Sequence, residues 1–146
     1  RHAPGRSRHL VRLGGVEIVA ALFAEDLDMR QVPGPSTRID LKGVMFSLPA
    51  PNPVPVTIAP HLVVIVREPA DGSGSAALIT EFVRASDGEQ VARNVQMAQV
   101  EPGKFGRQLV RAELEYEDYG TIEARVRLNQ DGHVTTVPLT LLPPVN

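Results

Sequence analysis

Four carboxylates stand close together at Glu113, Glu115, Glu117 and Asp118, and paired carboxylates are how glycoside hydrolases deliver a proton and activate water. In an extended chain Glu113, Glu115 and Glu117 fall on one side, about 6.8 Å apart per two residues, the pattern of a strand face that is merely wet. A small-molecule hydrolase therefore needs folding to gather Glu113, Glu115, Asp118 and His61 into one pocket. Of the four histidines, His2 and His9 lie in the first ten residues, while His61 and His133 have no partner at a ligand spacing. Zinc asks for three or four convergent ligands. Glu25-Asp26-Leu27-Asp28 offers oxygen ligands but lacks the glycine and terminal bidentate glutamate of a calcium loop, and reads as a solvated strand exit.

Nucleophile and phosphate motifs are also missing. Gly72-Ser-Gly74 is not the elbow of a serine hydrolase, and Gly103-Lys-Phe-Gly106 lacks Walker spacing, so it reads as a connection whose Phe105 plugs the end of the fold. These readings leave no catalytic, metal-binding or cofactor-binding residue to name, and the expectation is a non-enzymatic protein without a cofactor. Arg107, Arg111, Arg125 and Arg127 form a basic patch only if their strands are neighbours, with Tyr116 or Tyr119 available for stacking. Their alternation with Glu113, Glu115 and Glu123 reads instead as cross-strand charge pairing.

The 146 residues carry 15 Lys plus Arg against 17 Asp plus Glu, a net charge of -2, so no general field draws a polyanion or an acidic membrane. With 4% aromatics, a stacking platform for single-stranded nucleic acid is also unexpected. Zero cysteines remove disulfide scaffolds, thiol nucleophiles and Cys-ligated metals together, and make the cytoplasm the expected compartment. No apolar run approaches the ~20 residues of a membrane span. Of the cations 13 are Arg and 2 are Lys, which fits a GC-rich bacterial genome.

The elements that must position these groups are short. Pro and Gly, 13 and 12 of them, sit mostly between apolar segments, the spacing of a sandwich or barrel. Val54 to Val66 alternates, with Val54, Val56, Ile58, Leu62, Val64 and Val66 inward and Pro55, Thr57 and His61 outward, and pairs best from Leu62 onward. Leu109 to Glu117 puts Val110, Ala112, Leu114 and Tyr116 inward. Arg38 to Leu48 alternates until Gly43, then changes phase in favour of Val44, Phe46 and Leu48, which predicts a bulge at Gly43. Val16 to Ala24 suits a strand or a helical face, and the β character of every later segment decides for a strand. Asp71 to Ser75 reads as a flexible loop.

Two Asp-Gly steps predict hairpins. Asp131-Gly132 as a two-residue turn sets Val126 opposite Val137, Ala124 opposite Leu139 and Ile122 opposite Leu141. Asp87-Gly88 sets Leu78 opposite Met97, Thr80 opposite Val95 and Phe82 beside Arg93. Pro138 in the outward row marks the last strand as an edge, with Thr136, Pro138 and Thr140 as its interaction residues. The expected fold is an all-β, antiparallel two-sheet sandwich of about eight short strands, immunoglobulin-like. It spans 16–142, after a flexible basic leader over 1–15, native or added in cloning, and before a tail over 143–146.

Ala24-Glu25-Asp26, Ile39-Asp-Leu-Lys-Gly-Val-Met-Phe46, and Tyr119-Gly-Thr-Ile-Glu-Ala-Arg-Val-Arg-Leu128 with Val137-Pro-Leu-Thr-Leu141 resemble an uncharacterised bacterial family of single-domain immunoglobulin-like β-sandwich proteins. The resemblance covers Val16 to Leu141 and implies a fold without an activity. Such sandwiches often carry an aromatic two residues after the glycine that opens the penultimate strand. Ile122 stands there in this chain, so no tyrosine corner is expected at that position. The expected function is a protein-interaction or assembly module, with a protein partner or a second copy covering an edge strand. The alternatives are the hydrolase above and a structural subunit of a phage or secretion assembly with extended arms over Arg1 to Gly15.

Overall fold

The structure is a computed structural model that describes residues 15–30, 38–70, 74–130 and 132–145. The described residues form eleven strands: β1 (Glu17–Arg30), β2 (Arg38–Met45), β3 (Ser47–Pro49), β4 (Val56–Ile58), β5 (His61–Arg67), β6 (Ser75–Arg84), β7 (Gln90–Gln99), β8 (Phe105–Arg111), β9 (Leu114–Tyr116), β10 (Gly120–Leu128) and β11 (Thr135–Leu142). One sheet has the order β2-β1-β5-β8, a second β3-β11-β10-β6-β7, and β4 pairs with β9 in a separate two-stranded ladder. Phe23, Leu62 and Val64 of the first sheet and Leu78, Phe82 and Leu139 of the second belong to one buried apolar cluster. The protein is thus all-β with several sheets, consistent with a β-sandwich.

Burial follows the alternation read from the sequence in most elements. Leu62, Val64 and Val66 of β5 are buried, as are Ile122, Ala124, Val126 and Leu128 of β10 and Val137, Leu139 and Leu141 of β11. Val16 to Ala24 is strand, and the strand runs on to Arg30. The acidic run Glu25 to Asp28 is therefore interior to β1 rather than at its exit, with Asp26 opposite Lys42 and Asp28 opposite Asp40.

Hairpin register departs from the sequence reading at both Asp-Gly steps. Val126 lies opposite Thr135, Ala124 opposite Val137 and Ile122 opposite Leu139, two residues from the expected pairing. The cause is Asn129, which adopts φ 61° and is tied to β6: its N–H donates to the Ala77 carbonyl at 2.7 Å, and its Oδ1 accepts the Ala77 N–H at 3.1 Å. That link ends β10 at Leu128, and β11 begins at Thr135; Asp131 of the expected two-residue turn lies outside the described residues. A two-residue slip preserves every face, because side chains repeat with period two.

The β6–β7 hairpin slips by one residue, and there the faces do change. Thr80 lies opposite Asn94 and Leu78 opposite Gln96, with a register shift between Phe82 and Val83. The connection spans four residues, closed by Arg84 N–H to the Glu89 carbonyl and Gly88 N–H to the Arg84 carbonyl, both at 2.8 Å. Val95 and Met97 are 50% and 59% exposed. The polar row of β7 turns inward and is used: Gln96 Nε2 donates to the Leu109 carbonyl at 3.3 Å, and Gln108 Nε2 to the Met97 carbonyl at 3.2 Å. These two amides join the β7 edge of one sheet to the β8 edge of the other.

Two long segments break where they change sheet. Val54 to Val66 divides at Pro60 into β4 and β5, and Leu109 to Glu117 divides after Arg111 into β8 and β9, with β4 and β9 pairing Thr57 to Glu115. No bulge forms at Gly43: Ala24 opposite Val44 and Asp26 opposite Lys42 keep one register across it. Instead Gly43 adopts φ 62°, and the Glu25 side chain lies where a Cβ would stand, 2.5 Å from Oε1. The phase changes at Phe46, where the chain crosses from the first sheet to the second. Met45 and Leu48 pack against the core, while Phe46 is 62% exposed.

Candidate functional site

The last strand carries the expected interaction residues Thr136, Pro138 and Thr140. Contrary to the reading of a terminal edge, β11 is flanked on its far side by β3, which runs parallel to it, but only over Thr140 to Leu142. Thr140 N–H donates to the Phe46 carbonyl at 3.0 Å, and Ala50 N–H to the Leu142 carbonyl at 2.8 Å. Backbone groups alternate sides along a strand, so residues 136 and 138 face that same side. From Thr135 to Leu139 no strand among the described residues pairs there. Thr136 offers an N–H and a carbonyl to this open edge, and Pro138 a carbonyl alone.

The first sheet has a matching gap. β1 joins β2 only from Phe23 onward, opposite Met45, so Glu17 to Leu22 has no described strand on that side. The Phe46 crossover links β2 to β3, and β7 and β8 meet at the opposite side of the molecule, so the two uncovered stretches lie on one flank. β1 and β11 are in contact. Between their first residues is a cavity of about 430 Å³ lined by Val16, Glu17, Ile18, Leu128, His133 and Thr135. Its wall is mixed: Val16 and Ile18 pack on the core, Val19 beside it is 52% exposed, and Glu17 is bound by Arg67.

The residues considered for chemistry are spread over the molecule. Glu113, Glu115, Glu117 and Asp118 are exposed. Glu115, Glu117 and Asp118 line an open cavity of about 200 Å³ near Arg84, Ser86 and Tyr119; neither Glu113 nor His61 is part of it. Arg84 holds Asp87 and Glu89 at 2.8 Å each and Glu117 at 3.7 Å, a clamp between the β6–β7 turn and the segment before β10. The hydrogen bonds it donates to Glu89 and Asp87 raise the guanidinium pKa above its ordinary value. Phe105 is 54% exposed and plugs nothing. Arg107 and Arg111 belong to one sheet and Arg125 and Arg127 to the other, so the four make no patch. Arg125 pairs with Glu123 at 3.2 Å and Arg127 with Glu81 at 2.8 Å.

His61 Nδ1 donates to the Glu25 carbonyl at 3.0 Å, which leaves Nε2 as an acceptor in the neutral ring. The ring adjoins Asp26, Asp28 and Arg107 in an open depression of about 200 Å³. Among the described residues no group of three or more His, Cys, Asp or Glu is placed to hold a metal ion. Glu68 is fully buried, and neither carboxylate oxygen has a hydrogen-bond partner among the described residues.

Tyr116 reads from the sequence as inward-facing or as a stacking ring, without a partner for its hydroxyl. It is 3% exposed, and its hydroxyl donates to the Leu139 carbonyl at 2.8 Å, tying the segment before β10 to the middle of β11. Burial pushes its phenol pKa well above the ordinary value, with a backbone hydrogen bond from Ile122 acting in the opposite direction. The signal available in sequence was its place in the inward row Val110, Ala112, Leu114, Tyr116, where a hydroxyl must find a partner. The open flank had no such local signal: β3 runs parallel to β11, so Thr135 to Leu139 is left uncovered by the crossover at Phe46, on the N-terminal side of β3.

No protein-family model matches the chain, and no curated protein shows significant similarity to it. No helix among the described residues is long and apolar enough to cross a membrane.

Proposed function

We propose that the chain is a protein-interaction or assembly module that works by strand addition and has no chemistry of its own. The observation that supports this reading is the open half of β11, Thr135 to Leu139, next to the open half of β1. Unpaired backbone donors and acceptors on a sheet edge are satisfied best by another extended chain. Pro138 in that edge limits the registers such a chain can take without abolishing the site.

The frame we infer is immunoglobulin-like. In support, β6, β10 and β11 lie side by side as the C, F and G strands of such a domain do, and β5 and β8 pair as its B and E strands do. β1, between β2 and β5, is an addition to that frame.

A paired capture experiment tests the function. Cross-linked partners of the unaltered chain are compared with those of Thr136→Pro, which removes the one outward N–H of the open edge and no ladder bond to β10. Partners lost selectively in the variant support strand addition. An identical set on both chains, with both folded, refutes it.

A further inference from the structure

We propose that the strand added to the open edge of β11 is β11 of a second copy, paired antiparallel about a two-fold axis centred on Thr136. This rests on the reading of that edge as a strand-addition site and names its partner.

Three features of the edge point to self-pairing. First, Thr135, Thr136, Val137, Pro138 and Leu139 carry no charge. Natural edges are commonly guarded by lysine or other charged side chains, and two copies of this one meet without like charges opposed. The net charge of -2 adds little repulsion. Second, a two-fold contact is isologous, so one short stretch supplies both partners, and this is the commonest way a soluble chain assembles. Third, the single guard present, Pro138, discriminates between registers rather than blocking all of them.

In an antiparallel ladder, outward-facing residues must lie opposite outward-facing residues. On the open stretch these are Thr136 and Pro138, since the Thr140 N–H is already donated to Phe46. An axis at Pro138 sets two prolines together, with no donor on either side. An axis at Val137 sets Thr136 opposite Pro138, and each Thr136 N–H finds a carbonyl while each Thr136 carbonyl finds nothing. An axis at Thr136 lets Thr136 of each copy donate to and accept from Thr136 of the other. It also sets Val134, which is 41% exposed, opposite the Pro138 carbonyl, which needs only a donor. That register satisfies both groups of each Thr136 and the Pro138 carbonyl, and leaves only the Val134 carbonyl, which faces a proline, without a donor. The two five-stranded sheets then run on into one another through their β11 strands.

So short a ladder gives a weak dimer, its population rising across the micromolar-to-millimolar range. Sedimentation equilibrium of the whole chain over that range measures it. An isotope-filtered NOE experiment on a mixture of labelled and unlabelled chains reads the register, expected as a contact between Thr136 of one copy and Thr136 of the other. Thr136→Pro removes both central donors and weakens association by about tenfold or more. Thr136→Lys places two ammonium groups on the axis and does the same without altering the backbone. A chain that stays monomeric throughout overturns the inference, as does a dimer indifferent to both substitutions or an NOE pattern centred elsewhere. If the chain is monomeric while Thr136→Pro still loses captured partners, the second copy is the wrong occupant and the strand-addition reading stands. If both fail, the edge is inert.

Discussion

Replacing Tyr116 by Phe removes one oxygen atom from the interior and leaves the ring in place. The hydroxyl donates to the Leu139 carbonyl at 2.8 Å in a buried setting, so its loss removes a bond and leaves a carbonyl under-satisfied, a cost of about 1 to 2 kcal/mol at neutral pH. Burial also raises the phenol pKa in the folded chain. The unfolded tyrosine ionises near pH 10, so its contribution is fully present below about pH 10 and is lost as pH rises toward the folded value. While the folded phenol stays protonated, the loss reaches about 1.4 kcal/mol at pH 11. Contributions common to both chains cancel in the difference. Urea unfolding of the unaltered chain and Tyr116→Phe at pH 7, 9, 10 and 11 should therefore show a deficit that is constant to pH 9 and nearly closed by pH 11. A deficit independent of pH over that range, or a variant as stable as the parent at pH 7, refutes the account of Tyr116 as a buried tie between the segment before β10 and β11.

Two further outcomes follow from the geometry. Gly43→Ala should destabilise the fold by about 1 kcal/mol through its left-handed backbone. Adding Glu25→Ala should relieve only the steric part, so full recovery of the melting temperature in the double variant contradicts backbone strain as the main cause. Glu81→Gln should cost about 1 to 3 kcal/mol at pH 7, because it removes the charged partner of the half-buried Arg127. The Arg127 hydrogen bond holds the Glu81 carboxyl below its ordinary value of 4.5. This stabilisation is present above that value and disappears as pH falls through the lowered one. Chemical unfolding at pH 7 and pH 3 checks it, and an equal difference at both contradicts the sign.

The sequence by itself determined that the chain is all-β and which side of most strands is buried. Alternation is a local property with period two, so Leu62 to Val66, Ile122 to Leu128 and Val137 to Leu141 announce their inward rows without reference to any neighbour. Because of that period, the two-residue slip in the β10–β11 hairpin changed the partners and left the core unchanged. The one-residue slip at β6–β7 was not legible, since both faces of Gln90 to Gln99 are mixed and only the four-residue closure from Arg84 to Glu89 decides between them.

Tertiary structure alone decided the rest. Asn129 sets the β10 register through Ala77, more than fifty residues away. The crossover at Phe46 moves the chain to the second sheet and leaves β11 half covered, which is what makes Thr136 and Pro138 available while Thr140 is taken. Of the carboxylates that crowd together in sequence, Glu115, Glu117 and Asp118 line one open cavity, and folding leaves Glu113 and His61 outside it. An edge exists only by virtue of where neighbouring strands stop, and long-range pairing, not local pattern, fixes where they stop.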